Sequence, residues 1–279
     1  MSMSQNNKIS LINPLIPFLN IYSRSDLLTQ LVRRNILVRY KGTFAGLAWM
    51  IINPLVMLTV YTFVFSVVFK VRWGAAIGDS KVAFAMNLFC GLVLFNMFAE
   101  SINGAVSSIT NNPNYVKKVV FPLEILPVSV VMSSLFFGLV SFAILTVSVA
   151  ILMHKLSIAL ICLPLLLLPL LLFTCGIAWF VASLGVYMRD LAHIIGIVLQ
   201  VLIFLTPVFF SIEMVPEHVR FFFHLNPLTT IIQSARAILL LGQWPDWYRL
   251  SLVTGFSFVF FQLGYFWFIK TKRGFADVL

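Results

Sequence analysis

The residues of this chain that could do chemistry are few and fall in three places. Arg33, Arg34, Arg39 and Lys41 crowd one short stretch, Glu100 stands alone at the end of an uncharged run, and the segment NNPNYVKKVVFPLEILP (111–127) carries Lys117 and Lys118 in a compact polar island. Clustered guanidinium and ammonium groups suit phosphate-bearing lipid heads, at about 1 kcal/mol per base near an anionic surface. The same four bases could equally serve only as topology determinants. A carboxylate within a bilayer is costly and faces a cavity or a cation, which makes Glu100 a candidate for lining a pathway; if its helix ends near Ala99, Glu100 is merely interfacial. Nothing suggests catalysis. There is no GxxxxGK[ST] phosphate loop, no nucleophile elbow, no HExxH and no cluster of histidines and acids for a metal. Cys90, Cys162 and Cys175 lack CxxC spacing and lie in apolar runs, where a thiol behaves as a small hydrophobe. No bound cofactor is expected on this chain.

The elements that position these residues follow from composition. Of the 279 residues 61% are hydrophobic and 10% charged, far from the roughly 45–50% and 25% of soluble domains. The expectation is an all-α polytopic membrane protein forming a single transmembrane domain. Apolar runs of helical length predict six spans, over 44–69, 82–106, 125–153, 156–188, 191–212 and 249–269. A β-barrel would show alternating segments of about ten residues, which these runs of Leu, Phe, Val and Ile do not. The first 26 residues hold Pro14 and Pro17 and no apolar core with a small-residue cleavage site, so no removed signal peptide is expected.

Net charge is +10. In a soluble protein that would raise nucleic acid as a partner; here the positive-inside bias accounts for it. With the N-terminus inside, twelve of the 19 Lys and Arg residues fall in cytoplasmic segments and seven, Arg236 among them, in outer ones. Both termini are therefore placed in the cytoplasm. At 100° per residue the stretch 25–41 separates Leu27, Leu28, Leu31, Val32, Ile36 and Val38 from Asp26, Gln30, Arg33, Arg34 and Lys41. This predicts an amphipathic helix, lying in the inner headgroup layer or packed on its own protein, with Gly42 as the break into the first span. Pro54 should kink that span, and Pro207 should bend the fifth. The island at 111–124 must sit at one membrane face, its lysines marking the cytoplasmic one, with Asn111–Pro113 as a break and Tyr115–Phe121 as a short amphipathic segment. Residues 213–247 contain two apolar pieces too short to span, one bearing Phe221, Phe222 and Phe223. They predict a re-entrant hairpin on the outer side, although a true pair of spans would leave the C-terminus on the same side. With 28 Phe, aromatic faces could offer a tolerant surface to sugar rings, while any single ring could equally face lipid.

Taken together, RRNILVRYKGTFAGLAWMIINPL (33–55), NNPNYVKKVVFPLEILP (111–127), LGVYMRDLAHI (184–194) and LNPLTTIIQSAR (225–236) resemble the membrane subunit of ABC-2 type polysaccharide exporters. The resemblance runs through essentially the whole chain in order. It implies a permease subunit, not an enzyme, that moves lipid-linked polysaccharide, first of all O-antigen, across the bacterial inner membrane. Two copies as a homodimer would work with two copies of a separate ATP-binding subunit, which uses the ATP and Mg. It further implies that Asn114, Tyr115, Val116, Lys117, Lys118 and Phe121 dock that subunit through a coupling helix, and that 213–247 forms outer gate helices. On this resemblance the basic cluster would meet the pyrophosphate of an undecaprenyl carrier, and Glu100 with Phe221, Phe222 and Phe223 would belong to the pathway or its gate. Capsule polymer, teichoic acid, or a small lipid or drug remain open as alternative cargo. A membrane-embedded glycosyl transferase would need paired acids or basic residues in a sizeable outer loop, and the chain has neither.

Overall fold

The computed structural model describes residues 14–64, 81–117, 121–154 and 157–279, and among these every regular element is helical. Two short helices, α1 (Ile16–Tyr22) and α2 (Ser25–Arg39), lead into α3 (Trp49–Phe63). The long helices α4 (Lys81–Val106), α6 (Ile125–Met153), α7 (Leu163–Tyr187) and α11 (Trp247–Thr271) form the bundle. Between them lie the single turn α5 (Pro113–Val116), the shorter α8 (Leu191–Leu202), and the pair α9 (Glu217–His224) and α10 (Pro227–Arg236); α12 (Phe275–Val278) closes the chain.

Among the described residues five segments are long and apolar enough to cross a bilayer: Gly46–Phe63, Val82–Val106, Ile125–Met153, Ile158–Tyr187 and Trp247–Val278. The run expected to give a further span over 191–212 is helical only in Leu191–Leu202, 12 residues, or about 18 Å of helix. From 203 to 211 the chain turns and bends. Pro207 lies in that stretch, where it has no N–H to donate and resists continuation of the helix. Pro54 is instead accommodated inside α3. Pro164 marks a start: a 3-10 turn over Ile158–Cys162 precedes α7, and Pro164 stands in the first turn, where its missing donor costs nothing. Residues 65–69 of the expected first span lie outside the described residues.

The bundle is built around α4. Its most apolar window is 83% buried, against 6% for that of α3, and α6, α7, α8 and α10 all pack on it. α4 carries Asn87, Ser101 and Asn103 among its apolar residues, and polar side chains on a membrane helix favour the protein interior over lipid. The closest helix pairing is α7 with α11. Gly176 and Gly264 face one another there, so close that a Cβ built on Gly264 would collide with the Gly176 carbonyl, and one built on Gly176 would lie 2.5 Å from the Phe260 carbonyl oxygen. Small residues permit this approach where apolar burial alone gives helices no reason to associate. Trp267 Nε1 donates to Ser183 Oγ at 2.7 Å, and Tyr187 Oη donates to the Thr271 carbonyl at 3.0 Å, securing one end of the pair.

The segment that follows α8 is held by a buried cation. The sequence reading placed Arg236 among outer topology determinants; it is 7% exposed. Its Nε donates to the Asn87 carbonyl at 3.1 Å, Nη1 to that of Pro207 at 2.7 Å and Nη2 to that of Val208 at 2.9 Å. The guanidinium fork thus serves carbonyls released where the Pro207 stretch leaves the helix. Gly91 makes room for it, since a Cβ there would lie 2.8 Å from Nη2. Asn226 completes the clamp, its Nδ2 donating to Thr206 Oγ1 at 2.9 Å and its Oδ1 accepting from the Leu228 amide at 3.0 Å. Nearly all of α10 is buried as a result.

Two expectations follow for the purified protein in detergent. Gly264→Val should lower the thermal unfolding midpoint by an overpacking cost of about 1–3 kcal/mol, while Gly255→Val, with open space around the new Cβ, should leave it unchanged. Arg236→Leu would strand carbonyls costing about 1–3 kcal/mol each, and Gly91→Val, which invades the seat of Nη2, should lower the midpoint in the same direction. Unchanged midpoints in both Arg236→Leu and Gly91→Val would contradict the clamp.

Candidate functional site

The site is assembled from α2 upward. Asp26 lies in its first turn and Arg39 in its last, each charge opposing the helix dipole. Leu31 is buried and Leu27 and Leu28 pack on the core, so α2 rests on its own protein, against α6. Leu37 and Val38 stay exposed, leaving an apolar edge beyond that contact. The chain then turns at Gly42, whose φ of +83° suits a residue without a Cβ.

At the foot of α4 the island forms a braced turn. Among the described residues its helical part is Pro113–Val116; of the expected short segment Tyr115–Phe121, residues 118–120 lie outside the described residues. Pro113 begins the helix rather than breaking the chain, because the fixed φ of proline is preorganised for the first position. Tyr115 stacks on Phe121 with ring centroids 4.2 Å apart and planes 13° from parallel. The Tyr115 hydroxyl accepts from Arg34 Nη1 at 3.3 Å, tying the turn to α2. Asn114 and Lys117 are exposed and Val116 half-buried; Lys118 lies outside the described residues. The end of the loop is fixed by Glu124, whose side chain is 7% exposed and accepts from Lys272 Nζ at 3.1 Å, while its backbone carbonyl accepts from Trp179 Nε1 at 2.9 Å. Sequence reasoning passed over this pair. The available signal was that Glu124 is the one acid between Asn111 and Pro127.

The second constellation joins two residues that the sequence reading kept apart. Arg39 Nη1 and Nη2 donate to the two Glu100 carboxylate oxygens at 2.8 and 2.9 Å, the parallel bidentate geometry that a guanidinium forms best. Hydrogen bonding to Glu100 pushes the Arg39 pKa up from its ordinary value against the opposing effect of burial. The guanidinium carbon also sits 4.3 Å from the Phe137 ring centroid, a cation–π distance. The pair stands where two cavities meet. One, of about 470 Å³, is polar and bordered by Arg34, Asn35, Asn103, Asn112, Ser129 and Ser133. The other, of about 430 Å³, runs between α3, α4 and α6 and is bordered chiefly by apolar side chains such as Met50, Met57, Phe89, Leu92 and Val93.

Of the four bases, Arg34 and Arg39 line the polar cavity, whereas Arg33 and Lys41 are exposed and line neither. Of the pathway candidates, Phe221 and Phe222 meet edge-on at 6.0 Å on α9. Glu100 is engaged by Arg39, Phe221 and Phe222 are 65% and 67% exposed on α9, and Phe223 meets Phe210 edge-on at 5.7 Å.

Comparison with known proteins accords with this architecture. The family model described as ABC-2 type transporter matches residues 26–240. A protein of Klebsiella pneumoniae named O-antigen export system permease protein RfbA is 27% identical over 256 residues, covering 91% of this chain and 95% of that one. A protein of the same name from Myxococcus xanthus is 27% identical over 259 residues, covering 92% and 96%. The match begins one residue into α2 and ends inside the π turn Ala237–Leu241 that follows α10, and so spans the braced turn, the cleft and the Arg236 clamp: the chain belongs to the ABC-2 type transporter membrane family and is a multi-pass membrane protein.

Proposed function

We propose that this chain is the permease subunit of an ATP-driven exporter that moves lipid-linked polysaccharide, namely O-antigen, across the bacterial inner membrane, with both termini in the cytoplasm. The observation that carries the reading is the near full-length likeness to proteins named as O-antigen export permeases. The braced turn supports it. Asn114 and Lys117 are presented to solvent on a frame stiffened by Arg34, Tyr115 and Phe121, so a push on the turn passes to α2 and α4 rather than dissipating in a loose loop. Since the chain carries no phosphate loop, a separate subunit binds and hydrolyses ATP with Mg2+, and this chain acts as a transport subunit, not an enzyme.

Two copies would form the transport unit with two ATP-binding subunits. In support, α3 buries none of its residues and leaves Ile51, Leu55, Val56 and Val60 exposed, and α8 exposes Ile194, Ile197, Val198 and Val201. Such faces are complete only against lipid or a second copy. The polymer would pass along the seam between copies. On the far side α9 and α10 would form the re-entrant outer gate, with Phe221 and Phe222 turned towards the route. The carrier, an undecaprenyl pyrophosphate, would approach from the cytoplasmic headgroups, where Arg33, Arg34, Arg39 and Lys41 give a basic edge.

Deletion of the chain should trap polymer on the cytoplasmic side and remove it from the cell surface; a surface unchanged in polymer would contradict the reading. Lys117→Glu should lower recovery of the ATP-binding subunit in co-purification by about tenfold, the scale of a reversed charge at an interface, with the permease still inserted. Recovery equal to that of the unsubstituted protein would take Lys117 out of the docking surface.

A further inference from the structure

The two-cavity arrangement around Arg39 carries a more specific assignment. We propose that Glu100 is a built-in stand-in for a phosphate: it occupies the fork of Arg39, and the phosphate head of a polyprenyl lipid displaces it on entering.

A guanidinium offers two parallel N–H donors that fit the two oxygens of a carboxylate and two non-bridging oxygens of a phosphate equally well. Glu100 fills that fork at 2.8 and 2.9 Å. The pair is nonetheless not sealed, with side chains 39% and 42% exposed, so exchange does not require opening the core. Phe137 lies against the guanidinium at 4.3 Å and would hold its plane while the in-plane partner changes. A phosphate seated there faces a second guanidinium, since Arg34 borders the same cavity together with Asn35, Asn103 and Ser133. The existing bonds of Arg34 are long, 3.3 Å to the Tyr115 hydroxyl and 3.5 Å to Asn35 Oδ1, and a dianionic ligand competes well against such contacts.

The neighbouring cavity favours a lipid over a free anion. Arg39 and Glu100 border both spaces, so a head bound at the fork sits at the mouth of a compartment where Met50, Met57, Phe89 and Leu92 give an apolar stretch of wall, with Asn53, Asn96 and Ser141 also at its border. One wall of that compartment is α3, which is only lightly packed on its own chain, and a hydrocarbon tail would enter past it from the side. A polar chamber and a more apolar one joined at one cation match an amphiphile whose single charged group divides the two. Displaced Glu100 would turn towards Asn103 and solvent, and the contact joining α2 to α4 would be lost. Because Arg34 also touches Tyr115, occupancy of the cleft would be felt at the braced turn.

The choice of a polyprenyl carrier rests on the export reading above; the seat for a phosphate head does not. The full chain is placed in nanodiscs of phosphatidylcholine alone, and binding of geranylgeranyl pyrophosphate is measured against geranylgeraniol and inorganic pyrophosphate. Saturable binding of the lipid pyrophosphate is expected, with little binding of the alcohol and weaker competition by inorganic pyrophosphate. Glu100→Gln should tighten it about fivefold, the scale of a partly exposed ion pair removed as competitor, a gain that misfolding cannot mimic. Arg39→Ala should abolish it and Arg39→Lys should restore only part. Equal or weaker binding by Glu100→Gln, or undiminished binding by Arg39→Ala, overturns the exchange. Inorganic pyrophosphate binding as tightly as the lipid overturns the lipid assignment. If binding behaves as expected while cells without the chain still export polymer, the export reading fails and the phosphate seat stands.

Discussion

Hydrocarbon supplies no hydrogen bonds, so wherever the chain of a membrane protein stops being helical it must bring its own donors and acceptors. That constraint explains the placement of the polar residues in this structure. The Pro207 stretch releases carbonyls, and Arg236 arrives from α10 to take two of them together with that of Asn87. At the start of α6 the Glu124 carbonyl receives the buried Trp179 indole N–H, giving that donor its partner. Serines and threonines within the long helices return their hydroxyls to carbonyls one turn back, as Ser101, Thr174 and Thr254 do. A buried arginine in such a setting is a structural donor before it is a charge.

With the backbone satisfied in this way, the freedom left to the molecule lies at its thinly packed parts. Central α4 is enclosed, and α7 and α11 are locked at Gly176 and Gly264. Elements α2 and the turn at 113–117 are held by side-chain contacts that include Leu27, Leu28 and Leu31 on the core, Asn35 to Ser129, Arg39 to Glu100, Arg34 to Tyr115 and Tyr115 on Phe121, while α3 buries none of its residues. On the proposed reading, a permease driven by a separate subunit would use this division, with a rigid body to be moved and a lightly tethered lever to move it. The ion pair of Glu124 with Lys272 ties the C-terminal end of α11 to the base of the same lever.

Much of this was legible before any coordinates. Periodicity over 25–41 gives α2, which is observed over Ser25–Arg39, and Gly42 turns the chain where its lack of a Cβ allows. The uncharged run 125–153 is helical throughout as Ile125–Met153. The polar island was visible as a place of contact from Asn111 to Pro127. What could not be read was pairing at long range. Arg39 and Glu100 are 61 residues apart, Glu124 and Lys272 148, and Arg236 reaches Asn87 across 149. Each pairing depends on the angle at which two helices cross, which local patterns do not encode. The run expected to span over 191–212 is a short helix followed by a bent segment for a related reason: apolarity alone does not distinguish a helix from a bend whose carbonyls a distant arginine satisfies.

On the proposed reading, force enters through the braced turn from the cytoplasmic side. The most direct measurement places a cysteine at Asn114, in a chain whose Cys90, Cys162 and Cys175 have been replaced, and labels it with a membrane-impermeant thiol reagent in intact cells and in inside-out vesicles. Labelling confined to inside-out vesicles, and suppressed when the ATP-binding subunit is present, is the predicted result. Labelling in intact cells, or labelling in vesicles that the subunit does not reduce, would contradict the account.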